Sequence, residues 1–270
     1  MFQVQDTNPS SLIWVKDWIS QHTGIQFPEH KLSVLEQRLL ALCHRLEIQS
    51  IELLIEELKH SDEGDLLPHI IDAATTNHTH FFRETENIKY FIESIVPSFE
   101  NETRLRVWSA ASSTGEELYT ILMMLGETHS LLDIRNKFSF LGTDVSPKVI
   151  QHAEKAQYNQ QRVEELPQPI KSKWFTQINK DCYQLSKQLT TLCLFRRFNL
   201  LSQSWPFQNQ FHVIFLRNVL YYFDQPTQKK ILDALYRHTL PGGWLITSVT
   251  ESIGELNVRW RRVRSGVFQK

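Results

Sequence analysis

Near residue 76 the spacing of apolar residues changes, and with it the kind of structure the chain can build. Between Ser10 and Ala74 they recur at intervals of three and four: Leu12, Val15 and Ile19; Leu32, Leu35, Leu39, Leu42 and Leu46; Leu53, Ile55 and Leu58; Leu67, Ile70 and Ile71. Each set falls along one face of a helix, so the spacing predicts a bundle of three or four helices punctuated by Gly24, Pro28 and Gly64. Beyond residue 100 strand and helix alternate. Strands are expected over 105–110, 138–144, 211–216 and 244–248, with Pro241-Gly242-Gly243 as the turn before the last. Helices are expected over 117–125, over 147–156 behind Ser146 as N-cap, and from Pro226 through His238. Such alternation specifies an α/β fold, a mostly parallel, Rossmann-like sheet with helices on both faces. It lapses between Tyr158 and Phe198, where a helix is expected around 171–175 and TTLCLFRRF reads as an extended strand. Forty residues exceed an ordinary connection, and an inserted subdomain at about 158–198 is expected. The organisation is then a helical domain over 1–76, a linker over 77–97 and an α/β domain over 98–270.

Composition excludes several classes. A hydrophobic content of 41% over 270 residues supports a sizeable core, and a net charge of −1 lacks the cationic excess that binding many phosphates requires, so no nucleic-acid partner is expected. Three cysteines, an odd number without a CxxC pair, and no signal-like segment behind Met1 suggest a reduced, cytoplasmic protein. No apolar run approaches the ~20 residues of a membrane helix, so no membrane insertion is expected. In the segment TTNHTHFFRE, Thr75 to Glu84, His78 and His80 stand two apart without a third ligand at metal-binding spacing, and no metal is expected.

In a doubly wound sheet, ligands lie outside the carboxyl ends of the strands. The loop after the first strand, Ala111-Ser112-Ser113-Thr114-Gly115-Glu116-Glu117, is small-residued but holds one glycine and two acids. A pyrophosphate would be repelled there, whereas the ammonium group of an amino acid would be welcome. The second strand ends on Asp144, whose carboxylate could accept both hydroxyls of a ribose or could simply begin a turn with Ser146. Together the two loops ask for a nucleoside bearing an amino acid, a description that S-adenosylmethionine fits. The third loop, Arg217-Asn218-Val219-Leu220-Tyr221-Tyr222, sets a polar pair before aromatics. Phe81, Phe82 and Tyr222 are candidate walls for a sulfonium, which aromatic faces attract; the ordinary alternative is that they plug the core.

TTNHTHFFRE, VWSAASSTGEELY, LGTDVSPKVIQHA, FNLL, FHVIFLRNVLYYFD, LPGG and TESI occur in that order over nearly the whole chain, and in this the sequence resembles the chemotaxis receptor methyltransferases, the CheR family. The resemblance implies a fold in which a helical domain precedes an S-adenosylmethionine-dependent methyltransferase sheet with a small inserted β-subdomain. It implies methyl transfer from S-adenosylmethionine to glutamate side chains on chemoreceptor cytoplasmic helices, leaving S-adenosylhomocysteine and a methyl ester. By motif position it also implies that Asn77, Thr79 and Arg83 contact the cofactor, with Glu117 near the methionine ammonium and Asp144 on the ribose. Asn199 and Leu200 match the pair near the adenine, and Arg217, Asn218 and Tyr222 the loop beside the transferred methyl. Gly115 belongs to the cofactor loop, and Arg83 and Tyr222 are the expected catalytic residues.

Such chemistry needs positioning rather than a base, because a glutamate is already ionised near neutral pH. Arg83 could grip a carboxylate bidentately, either that of the methionine moiety or that of the incoming glutamate. Lys31, Arg38 and Arg45 fall seven apart, so a continuous helix would carry them on one face, as a stripe for an acidic receptor or as a solvated surface. The inserted subdomain is a second expected receptor contact, and a monomer is expected. Two departures from the family stand out: Leu118 follows the paired glutamates where proline is common, and Ser248-Val249-Thr250 replaces Gly-His-Ser, a change that could narrow the pocket. Alternatives to receptor methylation are a cofactor-binding signalling protein without catalysis and a methyltransferase for another protein or a small molecule.

Overall fold

A computed structural model describes residues 7–60, 66–75 and 79–270. The amino-terminal region contributes α1 (Pro9–Thr23), α2 (Leu32–Arg45), α3 (Ile51–His60) and α4 (Leu67–Ala74). Helix α1 begins where the Asn8 side chain accepts from Ser10 N and Pro9 presets the first turn. It ends at Gly24, whose φ of 74° needs no Cβ; a Cβ there would also come 2.4 Å from the Leu201 side chain. Lys31 lies in a 3₁₀ turn ahead of α2, and the Arg38 guanidinium donates to the carbonyls of Ala74 and Thr75 at 3.3 Å each. The seven-residue basic spacing therefore does not form one open stripe, because the helix starts after its first member and the second caps α4.

The linker leads through α5 (Thr85–Tyr90) into β1 (Leu105–Ser109), α6 (Glu116–Leu125), α7 (Leu131–Lys137), β2 (Phe138–Asp144) and α8 (Pro147–Lys155). Then come β3 (Gln157–Asn159), α9 (Gln160–Glu164), α10 (Gln168–Trp174), β4 (Phe175–Asn179), β5 (Cys182–Leu185), α11 (Lys187–Thr190) and β6 (Cys193–Arg197). Strand β7 (Phe211–Phe215), α12 (Gln225–His238), β8 (Thr239–Ile246), β9 (Arg261–Arg264) and β10 (Val267–Gln269) complete the chain. Seven strands form one sheet in the order β6-β2-β1-β7-β8-β10-β9, parallel from β6 to β8 and antiparallel thereafter.

Alternation along each strand serves two cores. Val107, Phe140, Val213, Phe215 and Ile246 face the side covered by α6. Trp108, Ile214 and Leu245 face the other, where they join α12 and the apolar stripes of α1 to α4 in one continuous cluster. The helical region is thus fused to the sheet through packing.

The structure differs from expectation in two further places. The stretch about 158–198 divides: β3, β5 and β4 form a separate three-stranded antiparallel sheet, while the TTLCLFRRF run supplies β6, which pairs in parallel with β2 in the main sheet. Second, Pro241-Gly242-Gly243 does not precede the last parallel strand but lies within β8; Thr239 pairs with Phe211 and Trp244 with Val213, so the residues between bulge out of register.

Candidate functional site

A cavity opens at the carboxyl ends of β1, β2 and β7, roofed by the α1–α2 connection and flanked by residues 79–83. Thr79, Arg83, Glu117, Asp144, Asn199, Leu200, Arg217, Asn218 and Tyr222 all line it. Arg83, 61 residues before Asp144 in the chain, thus shares one chamber with it and with Tyr222. Asn77 lies outside the described residues, as does His78.

The floor begins at the turn after β1. Ser112 N donates to Thr143 O at 2.8 Å, Ser113 adopts φ 47°, and its N–H donates to Asp144 Oδ2 at 3.0 Å. Gly115 turns the chain with φ 94°, and a Cβ there would lie 3.0 Å from both the Ala153 Cβ and the Tyr119 ring. It shapes the turn from behind, packed on the core, and is not among the lining residues. The two glutamates separate. Glu116 is fully buried on Arg162 and Thr114, and burial raises its carboxyl above the usual range despite the arginine charge. Only Glu117 faces the cavity, accepting from Ser109 Oγ at 2.8 Å and pairing with Arg217 Nη1 at 2.9 Å.

Asp144 ends β2 with Oδ1 accepting from Ser146 N at 3.1 Å. Burial pushes its carboxyl up to about 6, against backbone N–H groups that pull it down and with the Asp72 charge adding to the rise. Ser146 caps α8, and its hydroxyl donates to Asp72 on α4. The helical region therefore touches the second hydrogen-bonding neighbour of the strand-end acid.

The third wall is a charge network. Besides Glu117, Arg217 reaches Glu84 Oε2 at 3.5 Å and donates to the carbonyls of Arg83 and Glu84 at 2.7 and 3.1 Å. Glu84 also accepts from Asn218 Nδ2 at 3.1 Å and Ser248 Oγ at 2.8 Å. Burial alone would raise the Glu84 carboxyl; the hydrogen bonds of Asn218 and Ser248 and the charge of Arg217 more than offset it and hold it below the usual range. Behind the loop, Glu251 accepts from the backbone N–H groups of Asn218, Val219, Leu220 and Ser248. Burial lifts its carboxyl, and those donors restrain the rise. Glu84 and Asn218 both hold positive φ, 48° and 57°, strain of order 1–3 kcal/mol per residue that the network sustains.

Sequence reasoning missed Glu84 and gave Glu251 no role, although one follows Arg83 directly and the other sits in the TESI stretch. Of the two readings left open for Phe81, cofactor wall or core plug, the structure takes the plug. That ring packs edge-on to Tyr158 and Phe175 at 4.8 and 5.3 Å, 5% exposed, as a core plug under the three-stranded sheet. Phe82 likewise packs on the core, its N–H donating to Thr120 Oγ1 at 3.0 Å. Ser248 does not narrow the cavity; its hydroxyl holds Glu84, and Val249 points outward at 46% exposure. Leu118 is simply buried in α6.

Roof and floor are joined by hydrogen bonds. Asn199 Nδ2 donates to His22 O at 2.8 Å, and Gln26 N donates to Tyr222 O at 2.7 Å. Asn199 Oδ1 accepts from Leu201 N at 3.0 Å, which leaves Leu200 on the cavity side.

The donor set fits a nucleoside that carries an amino acid. Among the described residues, Ser112 Oγ, Ser113 Oγ and Arg217 Nε are buried polar atoms without a hydrogen-bond partner, and all three belong to residues lining this cavity. Such atoms are costly unless a ligand answers them. Asp144 at a strand end, Glu117 in the first turn of α6, orphaned hydroxyls between them and guanidinium groups opposite can hold diol, ammonium and carboxylate at once.

Comparison with known proteins agrees with this chemistry. Residues 77–267 match the family model described as CheR methyltransferase, SAM binding domain, and residues 10–75 match CheR methyltransferase, all-alpha domain. The chain is 31% identical over 244 residues to the chemotaxis protein methyltransferase of Borreliella burgdorferi, covering 88% of this chain and 86% of that one. It is 31% identical over 258 residues to chemotaxis protein methyltransferase 2 of Pseudomonas aeruginosa, with 94% and 90% covered. The Escherichia coli chemotaxis protein methyltransferase is 29% identical over 252 residues, with 91% and 85% covered.

Proposed function

We propose, from the premise that the chain belongs to the CheR methyltransferase family, that it methylates glutamate side chains on the cytoplasmic helices of chemoreceptors. It is an S-adenosylmethionine-dependent methyltransferase of chemotaxis. The observation that carries the finer reading is the convergence of Arg83, Glu117, Asp144, Arg217 and Tyr222 on one cavity.

When bound, S-adenosylmethionine supplies a methyl group on a sulfonium, which a carboxylate oxygen can take as the sulfur keeps the bonding pair. The chain's own residues then have positioning tasks. Asp144, already fixed by Ser113 and Ser146, accepts from the ribose hydroxyls and must be ionised to accept from both. Leu200 packs by the adenine, with Asn199 orienting it against the roof. Thr79 and Asn77 grip the cofactor from the linker, and Gly115 keeps the turn tight enough for Ser112 and Ser113 to reach it. Glu117 faces the ammonium, while Arg217 is shared between Glu117 and Glu84. Arg217 and Asn218 form the wall beside the methyl.

Arg83 is the guanidinium for a carboxylate, and Tyr222 places its ring by the methyl and its hydroxyl toward the acceptor. Fixing acceptor and donor in line can remove on the order of 7–11 kcal/mol of barrier without a base. We further place the protein in the cytoplasm as a monomer; among the described residues no helix is long and apolar enough to cross a membrane. Exposed Arg45, Lys31 at the cavity and the three-stranded sheet are its candidate receptor contacts.

The test is tritiated-methyl transfer to receptor-containing membranes followed by alkaline release of volatile methanol. Base-labile label on receptor supports a glutamyl ester. Base-stable label overturns it in favour of N-methylation, and tight cofactor binding without label overturns it in favour of a non-catalytic signalling protein.

A further inference from the structure

The pole of the main sheet opposite the cofactor cavity holds a second concavity. It is a groove of about 650 Å³ running from the start of β1 across β2 and the start of β6 to the segment before β7. Small-molecule sites usually occupy about 300–1,000 Å³. The floor is apolar, built from Leu141, Leu194 and Phe207, while Phe138 and Phe140 at its edge are 3% and 4% exposed and turn into the core on the α6 side. Leu194 is 48% exposed, although it lies on a strand of the main sheet.

Three arginines border this floor: Arg104, Arg106 and Arg135. Each is anchored by a neutral acceptor. Arg104 Nε donates to Ser139 Oγ, Arg106 Nε to Gln210 O at 2.6 Å, and Arg135 Nη2 to Thr191 Oγ1 at 3.3 Å. Among the described residues none of the three pairs with a carboxylate, and Glu102, two residues before Arg104, faces His212 at 3.6 Å. The chain has 30 acidic side chains against 29 cationic ones, so the lack of an acid here is local. Anchoring through Nε leaves both terminal nitrogens of Arg104 and Arg106 without a partner among the described residues. Three like charges on one groove repel one another, and an anion would relieve that repulsion while accepting forked hydrogen bonds.

We propose that this groove is a second ligand site, one that takes a small organic polyanion of the nucleoside diphosphate class. Its phosphates sit on the guanidinium groups and its flat ring lies on the apolar floor. An acidic peptide would satisfy the charge, but the compact volume and the apolar floor around the Phe207 ring favour a ligand that combines both chemistries in one small molecule. The site is separate from the cofactor cavity, since β1 and β2 run the length of the sheet between them.

Calorimetric titration of ADP into the full chain, with the cofactor cavity saturated by S-adenosylhomocysteine, tests the assignment. Saturable one-site binding is expected, weaker at raised salt. In the Arg104→Ala/Arg135→Ala double variant ADP should bind at least about tenfold more weakly, with S-adenosylhomocysteine affinity unchanged as the check on folding. Arg135→Lys, which keeps the charge and loses the fork, should fall between. Inorganic pyrophosphate should bind more weakly than ADP, and equal affinity would overturn the role given to the floor. The site itself is overturned if ADP binds only when S-adenosylhomocysteine is absent, if the substitutions change nothing, or if a hexaglutamate peptide binds the groove and ADP does not.

Discussion

The two poles of the seven-stranded sheet treat arginine in opposite ways. At the carboxyl ends of the strands Arg217, its side chain 3% exposed, is answered by Glu117, Glu84 and two carbonyls. At the other pole Arg104 and Arg135 rest on neutral acceptors in open water, and Arg106, half-buried, rests on another. Burial makes the difference, because a guanidinium taken out of water must be compensated on the spot, whereas an exposed one is screened by solvent. The first arrangement is part of how the chain folds. The second leaves charge available to something else.

The sharpest way to break this contrast is to remove one arginine from each pole. Arg217→Ala should cost on the order of 3–5 kcal/mol in denaturant unfolding, since it strands two carboxylates. Arg104→Ala should cost under about 0.5 kcal/mol. Equal losses would show that the buried network is no more demanding than the open groove.

Within the buried pole, Arg83→Ala should lower methyl transfer at least about a hundredfold while leaving unfolding stability near wild type; activity within about threefold would remove Arg83 from its role. Substituting Tyr222 by Phe and by Ala checks its two parts. Loss with Ala alone assigns the ring, loss with both assigns the hydroxyl, and no loss with either ends the assignment.

Asp144 sharpens the contrast through pH. Its folded carboxyl is raised to about 6, so between the ordinary carboxylate range and that value the folded chain holds a proton that the unfolded chain releases. The contribution of this group to stability therefore falls as pH rises through roughly 4 to 6, while cofactor affinity, which needs the ionised form, rises. S-adenosylhomocysteine should bind about tenfold more weakly one unit below pH 6, and Asp144→Asn should flatten that slope. The smallest expected effect in the network is that of Glu84→Gln, which keeps its shape but weakens its hold on Arg217 and Ser248. A loss of about 1 kcal/mol, roughly fivefold in kcat with KM for the cofactor little changed, marks a positioning residue; a change in KM alone would not.

What the sequence disclosed follows burial. The four central parallel strands were legible because their residues are apolar, although the Pro241-Gly242-Gly243 signal falls inside β8, and the acids Asp144 at the end of β2 and Glu117 in the first turn of α6 were legible by location. Strand β4 was not, since all of it but Phe175 is open, and β9 is exposed at every position and reads as a charged run. The fate of Phe81 could not be read from its own motif, because wall or plug depends on Tyr158 and Phe175, which approach from the separate sheet. Nor could the Glu84 network, which depends on left-handed backbone at Glu84 and Asn218, where neither residue type demands it.

The bonds from Asn199 to His22 and from Tyr222 to Gln26 tie the roof directly to residues that line the chamber. Docking of the amino-terminal unit on the sheet and occupancy of the chamber are consequently linked equilibria. Whatever fills the space adds to the adhesion of the two units, and by thermodynamic reciprocity any force that prises them apart loosens what is held between them to the same degree.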